Sequence, residues 1–253
     1  MKQVGGQLSG RDRIRLDTVI GLAEMFCSGQ VPDAKVVGSV ALAIHLSPGR
    51  FRVPNDIDIV WSAATAVSED EIPWRIDASA DWQLVAPSLP TLLRSGPSAT
   101  RQYRMERWGD GLIDRITLQD CRLWPDAGAH EMVHCQFNGR VLALAVEPLA
   151  WCIVHKLDSL FKPRKPGWVS SRCRDLFDIA LLDAERIDPL LPEISSNIRM
   201  LPHELDLTRE PPAEWAVVWA NLGEVSGFTD LDLGAAWDAA LGIAARAGAG
   251  VKS

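Results

Sequence analysis

The sequence predicts an α+β protein, with strands and helices in residues 1–147 and a helical lobe in residues 148–253. In the first part, short β-branched runs alternate with apolar runs of helical length. An Asn-Gly dipeptide at 138–139 separates two alternating apolar runs, which is typical of a β-hairpin. After Pro148, apolar residues recur at helical spacing. The 253 residues suffice for one large domain or for two lobes with a real core.

The composition indicates a folded globular protein and argues against several classes. Hydrophobic residues make up 47% of the chain, and the formal net charge is −7. This charge argues against nucleic-acid binding over the whole surface, although not against a local basic groove. We see neither a membrane-length apolar run nor the apolar core of a signal peptide. Five scattered cysteines without Cys-x-x-Cys indicate reduced thiols. We therefore expect a cytoplasmic protein with no membrane partner.

Periodicity and turn residues predict the elements in order. Helices are expected over 11–28 and 39–46, with a strand over 34–37 between them. The following stretches are less regular, with a loop or short helix over 63–71, a short element at 74–77 and a Pro/Ser-rich segment at 87–98. The other predictions are strands over 56–61, 82–85 and 112–118, a helix over 98–108, the hairpin strands over 133–137 and 141–146, and helices after 148, 172, 212 and 231.

Residues 36–61 contain the residues best suited to chemistry. Gly38-Ser39 stands where a strand gives way to a helix, so backbone N–H groups and a hydroxyl are available to bind a phosphate. Asp56 and Asp58 share one face of a strand because they are two residues apart. Two such carboxylates repel by roughly 4 kcal/mol at about 4 Å and an effective dielectric near 20. A hard cation such as Mg²⁺ or Mn²⁺ relieves this repulsion. An Asp-x-Asp alone is often a solvated strand edge, but this combination predicts a nucleotidyltransferase.

The same residues resemble the opening signature of the nucleotidyltransferase superfamily, a Gly-Ser or Gly-Gly followed by Asp-x-Asp. Residues 38–60 are most similar to the abortive-infection AbiEii toxins and the related MenT toxins. The usual form there is Gly-Gly-Thr-Ala-Leu-Ala, followed by Arg-x-Ser-x-Asp-Ile-Asp. Here Ser39 and Val40 stand for the second Gly and the Thr, Arg52 keeps the Arg, and Pro54 replaces the Ser. The resemblance implies a polymerase-beta-like fold with a mixed twisted sheet and flanking helices.

A second block of the resemblance lies in the helical lobe. Lys156 stands in the helix that Pro148 opens, and a basic, Pro-broken loop leads to Arg-Asp-Leu-Phe-Asp-Ile at 174–179. AbiEii-like proteins have a helical Lys, a basic loop and then Arg/Lys-Asp-Leu-Tyr-Asp-Leu in the same order. A helical Lys alone is normally solvent-exposed. The resemblance, which covers roughly residues 20–183, implies that Lys156 neutralises a triphosphate. It also implies that Asp175 or Asp178 positions Lys156 or acts on the acceptor hydroxyl.

Two further sets of residues are assigned with alternatives left open. Asp114 is the expected third metal ligand, because nucleotidyltransferases place a third carboxylate on a strand beside the Asp-x-Asp strand. The alternatives are a surface charge at Asp114 and a metal-ligand role for Asp120 instead. The expected RNA contacts are arginines, which could equally be solvated surface residues. Three of them share a face of the predicted helix through a spacing of three, and the fourth lies in the basic loop: Arg101, Arg104, Arg107 and Arg172.

The resemblance implies the toxin of a toxin–antitoxin pair, which adds nucleotides from an NTP to a tRNA 3′ end. Its partners would be the NTP, the tRNA and a cognate antitoxin. The expected site comprises Asp56 and Asp58 with their metal, and the nucleotide-binding residues Gly38, Ser39, Arg52 and Lys156. One alternative is a transferase that modifies a small molecule such as an aminoglycoside, which the acidic net charge slightly favours. Another is a catalytically silent binding protein that retains the fold.

A different motif, His130-Glu-Met-Val-His134, matches the His-Glu-x-x-His of zinc proteases. That motif needs a helix, because only a helix brings both histidines to one side with the glutamate as base. The alternation of Val133, Cys135 and Phe137 predicts a strand instead. We therefore expect no zinc protease site here.

Overall fold

The computed structural model describes residues 2–3, 10–28, 34–46, 51–54, 56–61, 83–87, 100–109, 112–122, 130–137, 139–163, 172–182 and 184–249. The chain divides into two compact units. The first comprises Met1–Gly49 and Val53–Pro148, and the second comprises Arg50–Arg52 and Leu149–Ser253. The short segment around Arg52 thus belongs to the second unit, although it lies within the first part of the sequence.

The first unit contains a mixed sheet, which has eight strands in the part of the chain that is described. These are β1 (Lys2–Gln3), β2 (Lys35–Val37), β3 (Asp56–Trp61), β4 (Gln83–Pro87), β5 (Thr100–Gly109), β6 (Leu112–Arg122), β7 (Glu131–Phe137) and β8 (Arg140–Val146). Their order across the sheet is β1-β7-β8-β2-β3-β6-β5-β4. Strand β2 pairs in parallel with β8 and antiparallel with β3, and β3 pairs in parallel with β6. The predicted α+β class is confirmed.

Within the described parts of the first unit, two helices pack on this sheet. Helix α1 (Gly10–Cys27) lies against β2, β3 and β8, and its buried residues recur at helical spacing, among them Leu16, Val19, Ile20 and Phe26. Helix α2 (Gly38–Leu46) follows β2 without an intervening residue, and it is buried from Val40 to Leu46. The start of α2 is therefore fixed directly to the end of a central strand.

The β7–β8 hairpin forms as predicted, with Phe137 opposite Arg140 across the turn. Gly139 has a φ of +76°, which the Asn-Gly turn needs. Exposed His134 lies on β7, and His130 immediately precedes that strand. Four residues of extended chain separate the two histidines by about 13 Å, so they cannot bind one ion as a helical pair does. Within the described residues, no group of three or more His, Cys, Asp or Glu side chains could hold a metal.

The helix predicted over 98–108 is wrong. Residues Thr100–Gly109 form β5, which pairs antiparallel with β6 in continuous register from Thr100 opposite Cys121 to Gly109 opposite Leu112. The alternation of polar and apolar residues from Gln102 to Glu106 is a strand signal, which the spacing of the arginines obscured. The argument that a spacing of three gathers Arg101, Arg104 and Arg107 on one face of a helix therefore does not apply.

The neighbouring predictions have different outcomes. The predicted strand over 112–118 exists and continues to Arg122, and the strand over 82–85 corresponds to β4. The predictions for 63–71 and 74–77, and the Pro/Ser-rich segment after residue 87, lie outside the described residues.

The second unit is helical. Its helices are α3 (Leu149–Phe161), α4 (Cys173–Ala180), α5 (Ala184–Ile187), α6 (Leu191–Arg199), α7 (Trp215–Ser226) and α8 (Leu233–Arg246). Helix α3 packs against α4 and α6, and α4 packs against α7 and α8. Aromatic rings fill part of this core, with Phe177 against Trp219 at 5.0 Å and Phe161 against Trp237 at 5.1 Å between ring centroids. None of the described helices has the length and apolar character needed to cross a membrane.

Candidate functional site

Gly38, at the start of α2, lies directly against Asp58 of β3. Val37, the last residue of β2, lies opposite Asp58 of β3, so the next residue, Gly38, begins α2 beside that carboxylate. Gly38 has a backbone φ of +68°, which residues other than glycine rarely adopt. A Cβ placed there would lie 2.7 Å from Oδ2 of Asp58. Both the backbone conformation and the available space therefore require glycine, and Asp58 lies against the first turn of the helix.

Asp56 completes a pair of carboxylates on β3. Ile57 and Ile59 are fully buried, whereas Asp56 and Asp58 are only half-buried. The predicted alternation is thus present, and both aspartates lie on the same face of the strand. Asp58 lies at the N-terminus of α2, where backbone N–H groups can also bind a phosphate.

The carboxylate oxygens of Asp56 and Asp58 are of the type that binds Mg²⁺ together with a phosphate. Mg²⁺ prefers oxygen ligands and is typically held by one or two carboxylates, with waters and substrate phosphates as its other ligands. Asp56 and Asp58 supply two such carboxylates on one face of β3. Because glycine has no Cβ, the Asp58 carboxylate can occupy the space beside Gly38.

Asp114 lies on β6, the strand that pairs with β3, as the nucleotidyltransferase resemblance implies. The residues opposite Asp56 and Asp58 are Thr117 and Gln119. Asp114 precedes Thr117 by three positions, so the pairing does not place it opposite either aspartate. Asp120 lies opposite Ile59. The role of Asp114 as a third metal ligand stays a prediction.

Four of the predicted site residues meet in the second unit, around Lys156 of α3: Arg52, Lys156, Asp175 and Asp178. The Nζ of Lys156 donates to Oδ2 of Asp178 at 2.8 Å and to Oδ1 of Asp175 at 3.2 Å. Both aspartates lie on α4, three residues apart, and therefore on one side of that helix. Arg52 donates to the same Asp178 through Nε at 3.0 Å and Nη2 at 3.1 Å. A lysine that would normally be exposed is therefore buried among carboxylates.

Burial and charge act in opposite directions on the pKa values of this cluster. Burial by itself would lower the pKa of Lys156, but the negative charges of Asp178 and then Asp175 outweigh it and raise the pKa. Burial by itself would raise the pKa of Asp178, but Lys156 and Arg52 together lower it. Lys156 and Asp178 therefore both stay charged at neutral pH.

The four predicted RNA-contact residues belong to two different units. Arg101, Arg104 and Arg107 lie on β5, whereas Arg172 is exposed immediately before α4, with Nη1 3.9 Å from Oδ2 of Asp175. Their contact with RNA stays a prediction.

Sequence reasoning missed two buried contacts because they join residues far apart in the chain. One is the two-bond pairing of Arg52 with Asp178, across 126 positions. The other joins His45, near the end of α2, to the backbone oxygen of Glu147 at 2.7 Å. This oxygen can only accept, so Nε2 of His45 donates the proton. A polar residue inside an apolar helical run, as at His45, is the signal that could have indicated such a partner.

Two solved structures share the fold of this chain at low sequence identity. No family model matches the chain, and no curated protein matches it in sequence. A crystal structure of a candidate nucleotidyltransferase from Helicobacter pylori is similar, with a TM-score of 0.52 and 15% identity over 95% of this chain and 94% of that one. The structure of the protein JHP933 from Helicobacter pylori gives a TM-score of 0.54 and 13% identity, over 95% and 92% of the two chains. At these identities the likeness concerns the fold.

Proposed function

We propose that the protein is a Mg²⁺-dependent nucleotidyltransferase and the toxin of a toxin–antitoxin pair, which adds nucleotides to a tRNA 3′ end. The observation that carries the proposal is the position of Asp58, held against the glycine that begins α2. The fold shared with a candidate nucleotidyltransferase supports it. The tRNA substrate and the toxin role rest on the sequence resemblance alone.

In this proposal Asp56 and Asp58 hold Mg²⁺ or Mn²⁺. Once bound, the cation would neutralise charge on the phosphates and on the departing pyrophosphate. The backbone N–H groups at the start of α2 and the hydroxyl of Ser39 would donate to phosphate oxygens. Because Ile57 and Ile59 are fixed in the core, the two carboxylates need little reorganisation when the nucleotide arrives.

Lys156 would serve as a positive charge for the triphosphate, and its ammonium would be oriented by Asp175 and Asp178. The acceptor hydroxyl would be that of the terminal ribose of the RNA. Arg172, which is exposed, is the described residue of the second unit that we assign to RNA contact. We also propose the arginines of β5 as RNA contacts, and we assign them to no particular face of the sheet.

The direct test is transfer of radiolabelled NTPs to total tRNA with Mg²⁺ or with EDTA. Asp58→Asn keeps the shape of the side chain but removes its charge, so we expect a rate loss of about 10²-fold or more. Asp238→Asn makes the same chemical change at an exposed position of α8 and should leave the rate unchanged. Thermal melting checks that both variants fold. A fully active Asp58→Asn enzyme would refute the mechanism.

The same assay separates the alternatives. Label transferred to an aminoglycoside but not to tRNA would identify a small-molecule nucleotidyltransferase. Absence of Mg²⁺-dependent NTP binding, measured by calorimetry, would identify a silent binding protein. Growth inhibition that a small co-transcribed partner relieves would support the toxin role, and expression of Asp58→Asn should then be harmless.

A further inference from the structure

Arg52 is a buried cation in the short segment 51–54, with only 7% of its surface exposed. It binds both oxygens of Asp178, through Nε and Nη2. This two-bond arrangement fixes the plane of the carboxylate as well as its position. Oδ2 of Asp178 also accepts from Lys156, so one carboxylate is shared by two cations.

In the contacts that the structure describes, the cluster pairs two cations with two carboxylates. Arg52 and Lys156 contribute two positive charges, and Asp175 and Asp178 contribute two negative charges. A buried charge is costly unless it is paired and hydrogen-bonded. Loss of Arg52 would remove one of the two cations that are bonded to Asp178, and with it the partner that holds the plane of the carboxylate. The ammonium of Lys156 would then be drawn toward the aspartates.

We infer that Arg52 is a positioning residue, which orients Lys156 by binding both oxygens of Asp178. The inference rests on the proposed function insofar as Lys156 serves nucleotide transfer. It assigns Arg52 a different role from the nucleotide contact that the sequence resemblance implies. A nucleotide contact would act on substrate affinity, whereas a positioning residue acts on the catalytic step.

The two roles also differ in their pH dependence. The charges that act on Asp178 are Lys156 from α3 and Arg52 from segment 51–54. On its own helix, Asp175 shares the Lys156 ammonium, and from α7 the ring of Trp219 packs on Phe177 beside Asp178. Arg52→Met removes one of the two positive charges, so the pKa of Asp178 rises. The acid limb of the rate profile should therefore move to higher pH in Arg52→Met. A nucleotide contact would not move it in this way.

The experiment compares Arg52→Met, Arg52→Lys, Asp178→Asn and the double variant Arg52→Met/Asp178→Asn. We expect Arg52→Met to lower kcat by about 10²-fold, with the KM for NTP unchanged. Arg52→Lys keeps the charge but not the two-bond geometry, so its kcat should be intermediate. The double variant should be no slower than Asp178→Asn, because Arg52 acts only through Asp178. A raised KM with unchanged kcat, or losses that multiply in the double variant, would overturn the inference.

Thermal melting of the same variants, without nucleotide or metal, tests the pairing independently of any activity. We expect Arg52→Met to lower Tm by about 10 °C in the natural background and by much less in Asp178→Asn. Arg246 and Asp188 form an exposed pair at 2.7 Å in the same unit, so Arg246→Met should change neither Tm nor rate. If the natural protein transfers no nucleotide at all, the proposed function fails. The melting cycle still decides the inference, because additive Tm losses would overturn it.

Discussion

Substituting Gly38 with alanine should separate backbone strain from displacement of the Asp58 carboxylate. The φ of +68° costs an alanine about 1–2 kcal/mol, and each 1 kcal/mol lowers Tm by about 2–4 °C in a chain of this size. The new Cβ would lie 2.7 Å from Oδ2 of Asp58, so the carboxylate must retreat by at least 0.3 Å to reach 3.0 Å. A misplacement of about 1 Å costs roughly 10²-fold in rate. We therefore expect Gly38→Ala to lose about 10- to 100-fold in Mg²⁺-dependent transfer.

Gly139 provides the matched control. Its φ is +76°, but a Cβ added there has nothing within 4 Å. Gly139→Ala should therefore lose a similar amount of stability with no loss of transfer rate. Differential scanning calorimetry measures the first quantity, steady-state NTP transfer the second, and titration with Mn²⁺ reports metal affinity. Equal rates for the two variants would refute the claim that the Gly38 position sets the Asp58 carboxylate.

Two further predictions concern stability. Gly21 is exposed inside α1 with open space where a Cβ would go, so Gly21→Ala should raise the free energy of unfolding in urea by about 0.5–1 kcal/mol. The pH dependence follows from the buried cluster. The lowered pKa of Asp178 gives a stabilisation that is present above about pH 4 and is lost as pH falls through the folded value. The raised pKa of Lys156 gives a second stabilisation, which is present below about pH 10.4 and is lost as the pH rises through the pKa of Lys156 in the folded protein. Tm measured against pH should therefore show a weaker acid limb in Asp178→Asn and a weaker alkaline limb in Lys156→Met.

The sequence was sufficient to predict the α+β class, the central strands and the first helices, because their periodicities are local and strong. Ile57 and Ile59 alternate with two aspartates, and this pattern alone determines which face of β3 is buried. The hairpin at Gly139 depends on a dipeptide whose backbone preference is equally local. Such features require no knowledge of distant residues.

The failures have physical causes of two kinds. In β5, polar residues at a spacing of three imitated a helix face, although the pairing with β6 determines the structure. A strand is stabilised by its partner, so its own sequence underdetermines it. The pairing of Arg52 with Asp178 was missed for a different reason. The two residues are 126 positions apart, and nothing in the sequence near Arg52 indicates that it is buried.

The position of the candidate metal-binding carboxylates follows from the sheet register rather than from the loop that precedes them. Strands β2 and β3 are antiparallel, with Val37 opposite Asp58, so the start of α2 and the Asp58 carboxylate meet whatever path residues 47–50 take. A slip of one residue would expose Ile57 and Ile59 and bury both aspartates. Each buried isoleucine contributes about 1.5–3 kcal/mol, which strongly disfavours the slip. The apolar core thus determines where two charged side chains lie, and the same residues that stabilise the sheet position the proposed chemistry.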